Sequence, residues 1–241
     1  MVYGNEHKTV LQAIMHEGAL HEGTGQELVI RLFDHNNTAK VLNEINAKLR
    51  PLDMTIKCVN CEVTGQLYWV FANTVEDKTA RFQSEFSQAE LALLRNVYSE
   101  IVTNNGCVSS TFCLNLCSTL HIKLSKTDAE QFLLKMVNKK WLSSKDGKYY
   151  MGVRSIAELL QYFKDTYDDS LQICTLCKQE LFYGKRCKKC DATTHVYCFE
   201  NYTKNGGSGC PNCHQPISIR DHSDNNASCM HESQMEIDDI A

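Results

Sequence analysis

The sequence has no long apolar run, no excess of one charge sign, no secretion signal and no familiar catalytic motif. Each absence closes a class of function. No stretch approaches the roughly 20 apolar residues that a membrane-spanning helix needs, so no membrane partner is expected. There are 25 Lys and Arg against 29 Asp and Glu, a net charge of −4. No global basic field is therefore available to hold nucleic acid. Met1 to Thr9 is polar and carries no apolar h-region, so a signal peptide is not expected. Nucleophile motifs, phosphate loops and dinucleotide fingerprints are missing. Any catalytic role would be to position another protein's reactive group.

What the chain does have is cysteine, 13 residues of it. Without a secretion signal these belong in a reducing compartment, as metal ligands or buried apolar groups. Eight candidate ligands fall in four pairs: Cys174/Cys177, Cys187/Cys190, His195/Cys198 and Cys210/Cys213. Two residues separate the members of each pair, a spacing that lets both side chains reach one tetrahedral Zn²⁺. The pairs are separated by nine, four and eleven residues. The four-residue gap is too short for consecutive pairs to close on one ion, so a cross-brace is expected. Cys174, Cys177, His195 and Cys198 would hold one zinc, and Cys187, Cys190, Cys210 and Cys213 the other. With all positions filled by protein, both ions would be structural and would weld a module too small for a full apolar core.

Upstream, the apolar pattern reads as helix, helix, helix, hairpin, twice over. Thr9 to Ala19, Gln26 to Phe33 and Thr38 to Leu49 are the first three helices. Thr55 to Val63 and Gln66 to Phe71 alternate as strands around Thr64-Gly65. Ser87 to Glu90 reads as a capping box opening a helix that Gly106 ends. Ser109 to Leu120 is the next helix, and Thr127 to Glu130 reads as a second capping box for a helix to Lys139. A hairpin turns at Lys145-Asp146-Gly147, and a helix from Ser155 to Phe163 closes the unit. The expected fold class is α+β: tandem winged-helix domains at 1–80 and 84–166, then a small cross-braced two-zinc module at 170–217. An acidic link spans Asp165 to Asp169, and 218–241 is expected to be a disordered acidic tail.

Other residues invite blander readings. Lys126, Lys135, Lys139, Lys140, Lys145 and Lys148 fall on the third helix and wing of the second unit, where some winged helices meet DNA. As lysines they are read as its solvated face. Cys58 and Cys61 have no second pair nearby, and Cys107, Cys113 and Cys117 are read as buried core. Cys229 is a free thiol of the tail. His7, His16, His21, His35 and His121 have no partners at metal spacing and are read as surface or satisfied histidines.

The ligand order, four Cys, one His and three Cys, resembles the variant RING and the PHD finger. Ser208 stands where a PHD finger usually has Trp, which favours the RING. Leu176 in Cys174-Thr175-Leu176-Cys177 and Pro211 in Cys210-Pro211-Asn212-Cys213 are similar to RING positions that contact a ubiquitin-conjugating enzyme. Winged helices followed by this module resemble the family of non-SMC element one, a subunit of the SMC-five/six chromosome complex. That resemblance implies a RING-type ubiquitin ligase acting in DNA repair in the nucleus, associated with chromosomes. It implies a MAGE-domain partner that stimulates it, a kleisin subunit, and DNA contact only through the complex. His214 stands where many active RINGs carry Arg or Lys, so activity without the partner is expected to be weak. The alternative is a non-catalytic scaffold whose zinc module only binds protein.

Overall fold

A computed structural model describes residues 3–74, 86–167 and 170–216. The tail at 218–241, Cys229 and residues 168 and 169 of the acidic link lie outside the described residues.

The first unit runs α1 (Asn5–Glu17), β1 (Ala19–His21), α2 (Glu22–Phe33), α3 (Thr38–Leu49), a short 3-10 turn, β2 (Met54–Asn60) and β3 (Leu67–Asn73). Its antiparallel sheet has the order β1-β3-β2. Val10 and Ile14 of α1 and Val41, Leu42, Ile45 and Leu49 of α3 recur at helical spacing, so each helix buries one face. They close over Trp69, which is 1% exposed. Gly25 on α2 is what admits that indole, since a Cβ there would lie 2.3 Å from the ring. Asn46 fastens α3 to the sheet through both ends of its amide, with the Ile56 N–H donating to it and its NH₂ donating to the Ile56 carbonyl.

The second unit repeats this order: α4 (Gln88–Thr103), β4 (Cys107–Ser109), α5 (Ser110–Leu116), α6 (Lys126–Asn138), β5 (Leu142–Lys145) and β6 (Lys148–Met151). The sheet order is β4-β6-β5. Both units thus have the winged-helix arrangement, three helices and a hairpin whose sheet is completed by a short strand after the first helix. The Ser87 capping box forms as expected: the Glu90 N–H donates to Ser87 Oγ at 3.3 Å, and the Ser87 N–H to Glu90 Oε2 at 2.7 Å. The hairpin turns through Asp146 and Gly147, both at positive φ, a two-residue turn that suits the right-handed twist of paired strands.

Several boundaries differ from the sequence reading, each for a local reason. Helix α1 begins four residues earlier than the apolar stripe, because His7 Nδ1 accepts the Gly4 N–H and closes its first turn. Helix α2 begins at Glu22, capped by His21, so Gly23 and Gly25 lie inside it. The second capping box does not form. Ser125 is the N-cap instead, accepting the Asp128 N–H at 3.1 Å. Helix α5 stops at Leu116 and tightens into a 3-10 turn. Strands β1 and β4, three residues each, are too short for alternation to reveal them. Cys107 therefore sits on strand β4, and it is buried.

The closing helix, α7 (Val153–Tyr167), is longer than expected and joins the two units. Its Val153 and Ala157 bury against Ala19, Cys61 and Val70 of the first unit. Lys57 Nζ of the first unit donates to the Ala157 carbonyl at 2.8 Å. Phe163 on its other side is fully buried in the second core, edge-on to Tyr98. Tyr98 and Ser155 share a buried hydrogen bond of 2.8 Å, which satisfies both hydroxyls away from water.

Beyond α7 come the two-residue strands β7 (Gln172–Ile173), β8 (Glu180–Leu181), β9 (Lys185–Arg186) and β10 (Thr193–Thr194), and helix α8 (Val196–Lys204). They pair as β7-β8 and β9-β10. So little regular structure cannot hold a fold by its own ladder. The module is seated on the winged helices. Phe182 is buried in the second core, 5.3 Å centroid to centroid from Phe163, and Tyr183 meets Tyr150 edge-on. Gly106 makes that seat close: at φ +83° it has no Cβ, and one would lie 2.0 Å from the Phe182 carbonyl oxygen. Among the described residues no helix is long and apolar enough to cross a membrane.

Candidate metal centres

Three of the four ligand pairs adopt one backbone shape. The Cys174, Cys187 and Cys210 carbonyls accept the N–H of the residue four positions on, Lys178, Asp191 and His214, each at 2.9 Å. The same three cysteines donate their own N–H to the carbonyls of Gln179, Ala192 and Gln215. Lys178, Asp191 and His214 all take positive φ, between 57° and 60°. Each turn leaves N–H groups pointing at sulfur, such as the Asn212 N–H on Cys210 Sγ at 3.4 Å. The fourth pair is different: His195 caps α8 and Cys198 lies in its first turn.

These turns bring the eight side chains into two groups. Cys174, Cys177, His195 and Cys198 form one; Cys187, Cys190, Cys210 and Cys213 form the other. Within each group all donor atoms lie within 4.8 Å of one another. The grouping is interleaved along the chain, first with third pair and second with fourth. His214 belongs to neither group and is exposed.

The spacings fit a tetrahedral ion. Zinc–sulfur bonds of about 2.3 Å put two sulfurs on a tetrahedron's edge roughly 3.8 Å apart. Cys187 and Cys213 Sγ are 3.7 Å apart, and Cys190 and Cys210 Sγ 3.6 Å. In the first group His195 Nδ1 lies 3.3 Å from Cys177 Sγ and 3.7 Å from Cys198 Sγ. Nδ1 is therefore the nitrogen with which His195 would hold an ion. With four protein donors each, neither group leaves a coordination position for water.

The thiols are electrostatically uneven. N–H groups of Cys177, His195 and Leu176 overcome burial and hold Cys174 down to about 7. The Ala192 N–H, with Asn212, holds Cys190 down to about 6. Cys177, Cys198 and Cys213 lie above the ordinary thiol value. Burial is the first cause for Cys177 and Cys198, and neighbouring cysteines add to all three. A dication bound among them would hold these thiols as thiolates, because coordination deprotonates a thiol outright.

The ring of His195 is held on its other side by residues that sequence reasoning missed. Nε2 faces the Glu180 carbonyl at 3.1 Å and Glu62 Oε1 at 3.2 Å. Tyr197 stacks on the ring at 4.8 Å. Glu62 comes from the β2–β3 turn of the first winged helix, a region with no sequence signal for a contact so distant in the chain.

The remaining candidates separate cleanly. Leu176 and Pro211 are half-buried on their turns. Cys58 is exposed and Cys61 buried against Ser143, and no metal-ligand group forms around them among the described residues. Cys107, Cys113 and Cys117 are buried, and burial pushes Cys113 up to about 12, an inert thiol. His7 is buried and bonded to Glu44 at 2.7 Å. Of the six lysines, Lys126 bonds Asn115 and Lys135 lies over the Phe86 ring at 4.7 Å. Those two meet their own domain, as a solvated protein face does.

A family model described as the Nse1 non-SMC component of the SMC5-6 complex matches residues 7–159. The chain belongs to the Nse1 family. A RING-like domain model matches residues 174–213, the span of both ligand groups. The human non-structural maintenance of chromosomes element 1 homolog is 33% identical over 217 residues, covering 86% of this chain and 82% of its own. The Xenopus laevis homolog is 30% identical, covering 87% and 81%. The Drosophila melanogaster homolog is more distant, at 22% over 173 residues. Among solved structures, a chain of an Nse1-Nse3-Nse4 complex superposes with a TM-score of 0.79 at 28% identity. It covers 91% of this chain and 100% of that one. This chain is thus an Nse1 subunit of SMC5-6 with a RING-like domain.

Proposed function

We propose that this Nse1 chain is a RING-type ubiquitin ligase subunit of the SMC5-6 complex, nuclear and chromosome-associated, acting in DNA repair. The observation that carries this reading is the pair of closed, interleaved ligand groups, which fit two structural zinc ions and leave no site for chemistry on the metal. Bound zinc supplies folding free energy to a module whose strands are two residues long. What the module then offers is a surface. Leu176 and Pro211 lie on two turns, one from each group, and would anchor a ubiquitin-conjugating enzyme with their apolar side chains. The rate gain comes from holding the enzyme–ubiquitin thioester in a reactive geometry.

The solved Nse1-Nse3-Nse4 complex supports the MAGE-domain subunit and the kleisin subunit as partners. Winged-helix faces would carry the MAGE contact, and DNA would be reached through the assembly. The alternative, a non-catalytic scaffold, is favoured by one observation: His214, and not Arg or Lys, follows the last ligand. A discharge assay separates the two. A ubiquitin-loaded conjugating enzyme is mixed with the chain alone and with the chain bound to its MAGE partner. The ligase reading expects faster discharge with the partner. Discharge at the background rate in both conditions leaves the scaffold.

A further inference from the structure

Glu62 is an oddity that the ligase reading does not use. It is a carboxylate 3% exposed, on the β2–β3 turn of the first winged helix. Burying a carboxylate is costly unless hydrogen-bond donors meet it. Two backbone N–H groups do, with the His195 ring beside them, and all come from the zinc module. The Phe182 N–H donates to Oε1 at 3.1 Å, the Tyr183 N–H donates to Oε2 at 2.8 Å, and His195 Nε2 lies 3.2 Å from Oε1.

We infer that Glu62 is a positioning residue of the first zinc site, supplied by the winged helix, and that it ties ion retention to the seating of the module. His195 Nδ1 faces the sulfurs, so the metal-binding tautomer must carry its proton on Nε2. An acceptor at Nε2 fixes that tautomer and raises the basicity of the ligand nitrogen. The Glu180 carbonyl is one such acceptor, and it belongs to the module itself. Glu62 is a charged one and arrives from another domain. Tyr197 and Glu62 together leave the ring one orientation. The same carboxylate holds Phe182 and Tyr183, the two residues that seat the module on the second winged helix. One group therefore serves the ion and the seat at once. Among the described residues, the second group, Cys187, Cys190, Cys210 and Cys213, draws its thiol contacts from within the module.

The inference rests on the zinc reading of the two groups, and the experiment separates the two. Full-length chain and Glu62→Gln are loaded with zinc, their metal content is counted by native mass spectrometry, and release into a chromogenic chelator is followed. Both should hold two ions at the start. In Glu62→Gln one ion should leave about 10- to 100-fold faster, and the other at the wild-type rate. Exchange of the Phe182 and Tyr183 amides should quicken in step. A merely structural prop is told apart by repeating the substitution in a His195→Cys background. A thiolate has no ring N–H to orient, so Glu62→Gln should accelerate release less there, by only the part that runs through the seat. Equal acceleration in both backgrounds overturns the positioning role. Wild-type release from Glu62→Gln overturns it as well, while leaving the zinc reading intact. Fewer than two ions on the wild-type chain overturns the zinc reading and the inference together. If Glu62→Gln is insoluble, Glu62→Asp in the same assay must release one ion faster than wild type and by less than tenfold, or the inference fails.

Discussion

Phe182 offers a quantitative test of how the RING-like module is held. Its side chain leaves the module and is 6% exposed within the second winged-helix core, edge-on to Phe163. Truncation to Ala removes a ring that buries roughly 150–250 Å², or about 4–6 kcal/mol at ~25 cal/mol per Å². Measured Phe→Ala changes in cores run about 3–5 kcal/mol, so about 4 kcal/mol is a fair expectation. The backbone bonds from Phe182 and Tyr183 to Glu62 survive the substitution, so the loss falls on the seat. At 1.4 kcal/mol per tenfold, about 4 kcal/mol is close to a thousandfold shift toward the unseated module. Hydrogen exchange of full-length Phe182→Ala should show residues 180–186 losing protection by about that factor. The α1, α3 and β3 amides of the first winged helix should keep theirs. Protection at 180–186 within a few-fold of wild type would refute the seat.

Gly106→Ala attacks the same seat from the opposite side. Its Cβ would lie 2.0 Å from the Phe182 carbonyl at a positive φ, so the melting temperature should fall and exchange at 180–186 should rise, as scanning calorimetry and hydrogen exchange would show. Among the thiols of the two winged-helix units, in alkylation at pH 8 read by mass spectrometry, exposed Cys58 should label first, and Cys113, buried and pushed up to about 12, should stay unlabelled in the folded chain. The His7 hydrogen bond holds the Glu44 carboxyl below the usual range. A depressed carboxyl stabilises the fold above its unfolded pKa of about 4.3 and loses that as pH falls through the folded value. The melting-temperature gap between wild type and Glu44→Gln should therefore narrow below about pH 4.

Much of this was readable from the chain because the informative signals were local. The four pairs sit at fixed spacing, and the four-residue gap before His195 is enough to require interleaving. The winged helices were legible where a stripe is long, as in α3 and α4, and where a cap is a pair of side chains, as at Ser87 and Glu90. Boundaries failed where a cap is unusual. His7 and His21 accept backbone N–H groups through ring nitrogens, and Ser125 takes the cap that Thr127 was expected to hold. The three-residue strands were invisible because alternation needs length. Glu62 was invisible for a different reason. Its partners are contributed by a domain far along the sequence, and nothing in the letters around Cys61 marks a buried carboxylate. The longer α7, with Phe163 turned to one unit and Ala157 to the other, likewise declares itself only in three dimensions.

On the proposed function, the RING-like module would present Leu176 to a ubiquitin-conjugating enzyme. Leu176 is half-buried on a turn whose shape is set by Cys174 and Cys177, so its loss should spare the fold. The most direct measurement is single-turnover discharge of a ubiquitin-loaded conjugating enzyme by Leu176→Ala bound to the MAGE-domain partner, with zinc counted on the same sample. An interface anchor is worth about 1.4 kcal/mol or more, so discharge should slow at least about tenfold, with two zincs bound and the partner retained. Discharge at the wild-type rate, or slowing only in proportion to lost zinc, would contradict the account.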